Sequence, residues 1–183
     1  MFGSLKLEPA VTRLDLLAPP VAAALEVWPA EAPIDGDQVM VAPIDAGLAD
    51  TAAFCEAYAV GLAESANCVI VAGRRGDLVR YAACIMLATT RADVNGIVRR
   101  QLDARKASFA PMDDAVRLTG MEYGGITPIG LPKDWPVLVD ARVVATPHVI
   151  IGSGVRHSKI AIAGPALGAL PGAEVIEGLA KEA

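Results

Sequence analysis

The residues best suited to chemistry run from Gly120 to Gly130, in the order Gly-Met-Glu-Tyr-Gly-Gly-Ile-Thr-Pro-Ile-Gly. Glycines free the backbone to take positive φ, and they admit a ligand close to main-chain N–H and C=O groups. Pro128 stiffens the exit of the segment. A loop of this kind can read a small polar group through backbone contacts, and it is read as a pocket loop. The same composition also suits a helix C-cap at Gly120 followed by a connector. It is not a phosphate-cradling P-loop, because no Gly-Lys-Ser/Thr follows.

The remaining reactive side chains form no familiar constellation. Cys55, Cys68 and Cys84 are odd in number and sit in apolar surroundings, which fits reduced, buried thiols rather than a disulfide framework. No Cys-x-x-Cys or His/Cys pair has ligand spacing, so no metal site and no cofactor are expected. The two histidines, His148 and His157, form no Ser-His-Asp order, and no Gly-x-Ser-x-Gly elbow is present. Ser153 lies between glycines without an assigned base. The basic clusters Arg99, Arg100, Arg105, Lys106 and Arg156, His157, Lys159 read as solvated charges. A net charge of −5 argues against a general polyanion binder, while leaving room for a local basic rim.

These residues need a scaffold. The chain has 183 residues, enough for one sizeable core. It is 54% hydrophobic but only 4% aromatic, so small and branched side chains must fill that core. No apolar run approaches the ~20 residues needed to span a bilayer, and no signal peptide is evident. A cytoplasmic protein with no membrane association is expected, its oligomeric state open.

Residues 1–35 read as an N-terminal accessory segment and 36–183 as the main domain. Leu14 to Trp28 has helical spacing, interrupted at Pro19-Pro20 and closed by Pro29, and residues 33–36 read as a turn. Strands are expected over 38–44, 67–72, 78–87, 106–109, 137–140, 148–152, 159–163 and 173–176. The second and third of these form a hairpin about a turn at 73–77. Helices are expected over 50–58, from Asp93 or Asn95 to Leu102, from Pro111 to Gly120, and over 165–170. Strands and helices mix without a βαβ rhythm. The expected fold is therefore a single α/β domain, one mixed and curled β-sheet surrounded by helices.

Four segments in order carry a resemblance: the helix 112–119; Gly120-x-x-x-Gly124-Gly125-Ile126-Thr127-Pro128-Ile129-Gly130; Pro136-Val137-Leu138-Val139-Asp140; and His148-Val149-Ile150-Ile151-Gly152-Ser153-Gly154. Over roughly residues 50–178 the chain resembles the YbaK/EbsC family, which includes free-standing aminoacyl-tRNA deacylases and the editing domain of some bacterial prolyl-tRNA synthetases. The resemblance implies hydrolysis of the ester joining a wrong amino acid to the tRNA 3′ end, with a synthetase as a possible partner. It implies that Gly124 and Gly125 line the pocket for the aminoacyl group and terminal adenosine. Thr127 and Pro128 would shape the wall, and Gly152, Ser153 and Gly154 the opposite rim.

One position departs from the family. Where active members usually carry a lysine at the start of the first central strand, this chain has Asn67 within Ala66-Asn67-Cys68-Val69-Ile70-Val71. Asparagine offers an amide donor and acceptor but no cation, and it is no general base. Arg74 or Arg80 are the candidates to supply a cation in space. Cys68 should face away from Asn67, into the core. Three functions compete: a trans-editing deacylase; a degenerate module binding an amino acid, nucleotide or aminoacyl end without turnover; and an interaction protein acting through residues 1–35.

Overall fold

The computed structural model describes residues 2–31 and 39–183. The turn expected over 33–36 lies outside the described residues. In chain order the elements are β1 (Glu8–Pro9), α1 (Pro19–Glu31), β2 (Met40–Pro43), α2 (Thr51–Tyr58), β3 (Ala66–Arg75), β4 (Leu78–Leu87), β5 (Thr90–Ala92), α3 (Arg99–Gln101), β6 (Lys106–Phe109), α4 (Met112–Thr119), β7 (Val137–Asp140), α5 (Ala141–Ala145), β8 (His148–Gly152), β9 (Ser158–Ala163), α6 (Gly164–Gly168), β10 (Ala173–Ile176) and β11 (Ala180–Glu182).

Pro19-Pro20 opens α1 instead of interrupting a helix begun at Leu14, and Pro29 lies within α1 rather than ending it. A proline in the first turn forgoes only an N–H that the helix leaves unpaired there. The hairpin is longer than expected. Arg75 pairs with Leu78, so the turn shrinks to Gly76-Asp77. The helix beginning after Asp93 starts as a π-helical turn over Val94–Val98, where Asp93 Oδ2 accepts from Ile97 N at 3.3 Å. The sequence reading missed α5, whose N-cap is Asp140, and the ribbon of β5 and β11.

The mixed sheet is divided. One sheet, in the order β1-β2-β9-β8, is antiparallel throughout. The other, β10-β7-β4-β3-β6, is parallel where β7 meets β10 and β4, and antiparallel around β3. A single parallel bridge, Ser65 to Ile150, joins them. β3 pairs with β6 only from Val71 to Arg74. Among the described residues no strand pairs with that edge between Ser65 and Ile70, and the two sheets part there.

Alternation sorts the residues of β8 and β9 onto two faces. Val149, Ile151, Ile160 and Ile162 enter the main buried cluster with Ala83, Ile85, Val137 and Val139. Ile150 and Ala161 face the other way, against Phe54 and Cys55 of α2. Leu16, Leu17, Ala18, Val21 and Leu25 of the N-terminal segment lie in the same main cluster. No described helix is long and apolar enough to cross a membrane.

Candidate active site

A cavity of about 410 Å³ opens where the sheets part. The free edge of β3, Ala66 to Ile70, forms one wall. Because the Ile70 carbonyl accepts from Ala110 N, strand alternation turns the main-chain groups of Cys68 toward the same edge. Ile150, Ile151 and Gly152 of β8 and Lys159 of β9 form the facing wall. Asp50 and Thr51, at the start of α2, close one side, and Phe109, Tyr123, Gly124 and Ile126 surround the mouth.

Of the residues expected at the site, Asn67, Gly124 and Gly152 line this cavity. The Thr51 hydroxyl donates to Asn67 Oδ1 at 2.7 Å, which leaves the amide N–H₂ as the polar end to face a ligand. Gly125, Thr127, Ser153 and Gly154 lie behind the lining. Pro128 lines a separate hollow beside Pro20, Leu131 and Trp135. Thr127 is fully buried and its hydroxyl has no partner. The Ser153 hydroxyl is also buried, 2.7 Å from the Ser158 hydroxyl.

The glycines admit protein, not only ligand. A Cβ on Gly152 would stand 2.3 Å from the Gly125 carbonyl oxygen, and one on Gly125 would stand 2.5 Å from that of Val155. The loop and the 152–154 turn are thereby locked together: Gly154 N donates to Gly125 O at 2.7 Å and Glu122 N to Gly154 O at 2.8 Å. Gly125 N donates within its own turn, to Glu122 O at 2.9 Å. These N–H groups are therefore engaged by the loop rather than free to polarise a bound carbonyl. Arg156 clamps the outside, donating to Tyr123 O at 3.3 Å and Ala46 O at 3.2 Å.

The cation in this cavity is Lys159. Arg80 instead donates to Leu102 O at 3.1 Å and pairs with Asp103, and Arg74 lines a different hollow. Lys159 sits opposite Gly152 across the β8–β9 pair, so both project to one face, and the missing side chain leaves the lysine room. It is only 8% exposed. Its Nζ donates to Ala49 O at 2.9 Å and lies 5.2 Å from the Phe54 ring centroid. Among the described residues no carboxylate lies within ion-pair distance. Burial holds its pKa below the ordinary lysine value, with Arg156 acting in the same sense and Cys55 and Asp50 opposing. Lys159 is thus no solvated charge.

Cys68 also lines the cavity, although it packs partly against the core. Burial, with a smaller contribution from Cys84, pushes its thiol well above the ordinary range. It stays protonated at neutral pH and makes a poor nucleophile. His148 and His157 are exposed and line none of the cavity. No group of three or more His, Cys, Asp or Glu among the described residues is arranged to hold a metal ion.

A family profile described as the aminoacyl-tRNA editing domain matches residues 45–170. The chain belongs to this family. No curated protein sequence matches it. The editing domain also has solved structural neighbours. One is a candidate trans-editing enzyme for prolyl tRNA synthetase, at TM-score 0.72 and 19% identity over 91% of this chain and 99% of that one. A second is a scaffold from an epitope-grafting design study, at TM-score 0.72 and 21% identity over 91% and 97%. A third, described as a hypothetical protein, has TM-score 0.67 and 20% identity over 77% and 90%. At these identities the likeness is one of fold.

Within the editing domain, sequence reasoning missed Thr51 as more than a helix start, and it missed Phe109 and Tyr123. It read Lys159 with Arg156 and His157 as surface charge. The available signal was alternation, since Lys159 precedes Ile160-Ala161-Ile162 in a strand whose neighbours are buried.

Proposed function

We propose that this editing-domain protein hydrolyses the ester linking a mismatched amino acid to the 3′ end of a tRNA. The observation that carries the reading is the mouth of the cavity. Phe109 and Tyr123, 60% and 58% exposed, stand beside an interior with one amide and one cation. Exposed rings at the rim of a polar cavity suit a single-stranded end whose bases stack on aromatic faces. The terminal adenosine would lie on the rings, and the aminoacyl group would enter between Asn67 and Lys159. Gly124 and Gly152 lie along its path, with Gly125, Thr127, Pro128, Ser153 and Gly154 supporting them from behind.

A second feature supports a tRNA partner. Arg74, Arg99, Arg105 and Lys106 surround a hollow farther along β3 and β6, the strands that also reach the cavity. No described carboxylate pairs with them at ion-pair distance. In this reading the basic group takes acceptor-stem phosphates while the 3′ end reaches the cavity. A synthetase is the further partner, and the site of action is the cytoplasm.

A deacylation assay over a panel of mischarged tRNAs tests the reading. Cleavage of at least one ester well above the rate in buffer is expected. Equal rates for all would sink the catalytic claim. One observation favours the alternative, a module that binds without turnover: neither histidine reaches the cavity, and its sole carboxylate, Asp50, is 78% exposed. Saturable binding of an aminoacyl-adenosine analogue without cleavage of any ester would establish that alternative.

A further inference from the structure

The cavity holds a charge that the protein does not neutralise. A buried ammonium is costly unless something pairs with it, and a cation kept without a counter-ion in a cleft marks a functional site more often than a structural one. Ala49 O is the one protein acceptor of Lys159, and an ammonium has three N–H donors. The Phe54 ring covers one side of the group, and the cavity lies on another. Gly152, directly opposite, adds no side chain to screen it.

We infer that Lys159 is the charge-bearing residue of this cavity, its ammonium donating to the carbonyl oxygen of a bound acyl ester and holding the oxyanion formed there. The ester identity rests on the proposed editing reading, whereas the position of the charge does not. In the reaction, water oxygen adds to the acyl carbon and the carbonyl π pair moves onto oxygen, beside Lys159. The water proton leaves to bulk solvent through the open mouth. The carbonyl then reforms, and the bond from acyl carbon to ribose oxygen breaks with its pair on the ribose oxygen. That oxygen takes a proton from water. The products are the free amino acid and the tRNA 3′ hydroxyl. A donor in this position typically accelerates such a step by about 10²–10³-fold.

The inference needs a test that separates it from a purely structural role in holding Ala49. Calorimetry on the full chain would compare two ligands: 3′-aminoacylamido-adenosine, which carries the acyl carbonyl on an uncleavable amide, and 3′-amino-3′-deoxyadenosine, which lacks it. Lys159→Met should weaken the first by tenfold or more and leave the second unchanged, while Lys159→Arg should restore part of the loss. Equal affinity of wild type and Lys159→Met for the acylated ligand would overturn the inference, as would equal weakening of both ligands. Should Lys159→Met fail to fold, the Nζ resonance of the wild type decides. A change in its titration on binding the acylated ligand, absent with the unacylated one, supports the inference, and no change overturns it. If wild type cleaves no ester yet Lys159→Met loses the acylated ligand selectively, the editing reading fails and the inference stands.

Discussion

Thr51 and Asn67 are joined across 2.7 Å, hydroxyl to side-chain oxygen, so a helix N-terminus sets the orientation of an amide on the free edge of β3. This link presents N–H rather than C=O to the cavity. Thr51→Val keeps the shape of the side chain and removes the donor. It should lower kcat/KM by about tenfold while changing stability by about 1 kcal/mol, the scale of one net hydrogen bond. Steady-state kinetics and urea melts check both numbers. An unchanged kcat/KM would show that the Asn67 orientation does not matter.

Gly152→Ala should be severe. The added carbon would meet the Gly125 and Ile126 carbonyl oxygens at 2.3 and 2.8 Å, and both belong to backbone that cannot swing aside like a side chain. Loss of about 1–3 kcal/mol is expected, together with loss of ligand binding as the loop is displaced. Thermal melts and binding of an aminoacyl-adenosine analogue report the two effects separately.

Asp140 governs acid stability. Its carboxylate is 1% exposed, caps α5 through Arg142 N at 3.0 Å, pairs with the Arg142 guanidinium at 2.9 Å, and accepts from Ala180 N at 2.8 Å. Burial would raise its pKa, but these donors outweigh burial and hold it below the ordinary value. Its stabilising contribution is therefore present above the unfolded carboxyl value of about 3.9 and is lost as pH falls through the folded value. Asp140→Asn should cost about 2–4 kcal/mol at neutral pH. The gap between variant and wild type should close in denaturant melts below pH 4.

Lys159 works in the alkaline range with the opposite sense. Its folded pKa is lowered, so folding is disfavoured while the group is charged, and stability rises as pH climbs from that folded value toward 10.5. Cys84, whose thiol burial pushes up to about 12, opposes this above the ordinary thiol value. If the charged lysine is the working form, kcat/KM relative to uncatalysed hydrolysis should fall at a pH below the ordinary lysine value. Lys159→Arg should move that fall to higher pH.

The basic hollow should act on whole tRNA alone. Arg74→Ala with Arg105→Ala should weaken binding of full-length tRNA. The slope of log K against log salt should shrink by about 1 for each phosphate that the protein no longer neutralises. The affinity for an aminoacyl-adenosine analogue should not move. Filter binding across a salt series measures the first effect and calorimetry the second.

The order of strands, the hairpin and the Gly120 C-cap were legible because alternation and turn chemistry are local. The division of the sheet was not, since it depends on where β3 loses β6 and meets β8, a pairing of residues far apart in sequence. The same distance explains Lys159. Its neighbours Arg156 and His157 suggest solvent, and only its registration against Gly152 and its approach to Ala49 and Phe54 place it indoors. The glycines were visible, but their spacing does not say whether a ligand or another backbone fills the room they leave. The proline pair was misread because sequence alone does not tell a helix start from a helix break.

The parting of the sheets at the free edge of β3 has a consequence for how such a protein can diverge. The cavity occupies a seam, and its walls come from strands whose opposite faces hold the two apolar clusters. Capacity and foldability are therefore carried by different sides of the same backbone. Substitutions along the seam, at Ile150, Ile126 or Val69, can resize the space without emptying the main cluster beneath it. A lineage built on this plan can trade one acyl group for another while keeping the same skeleton.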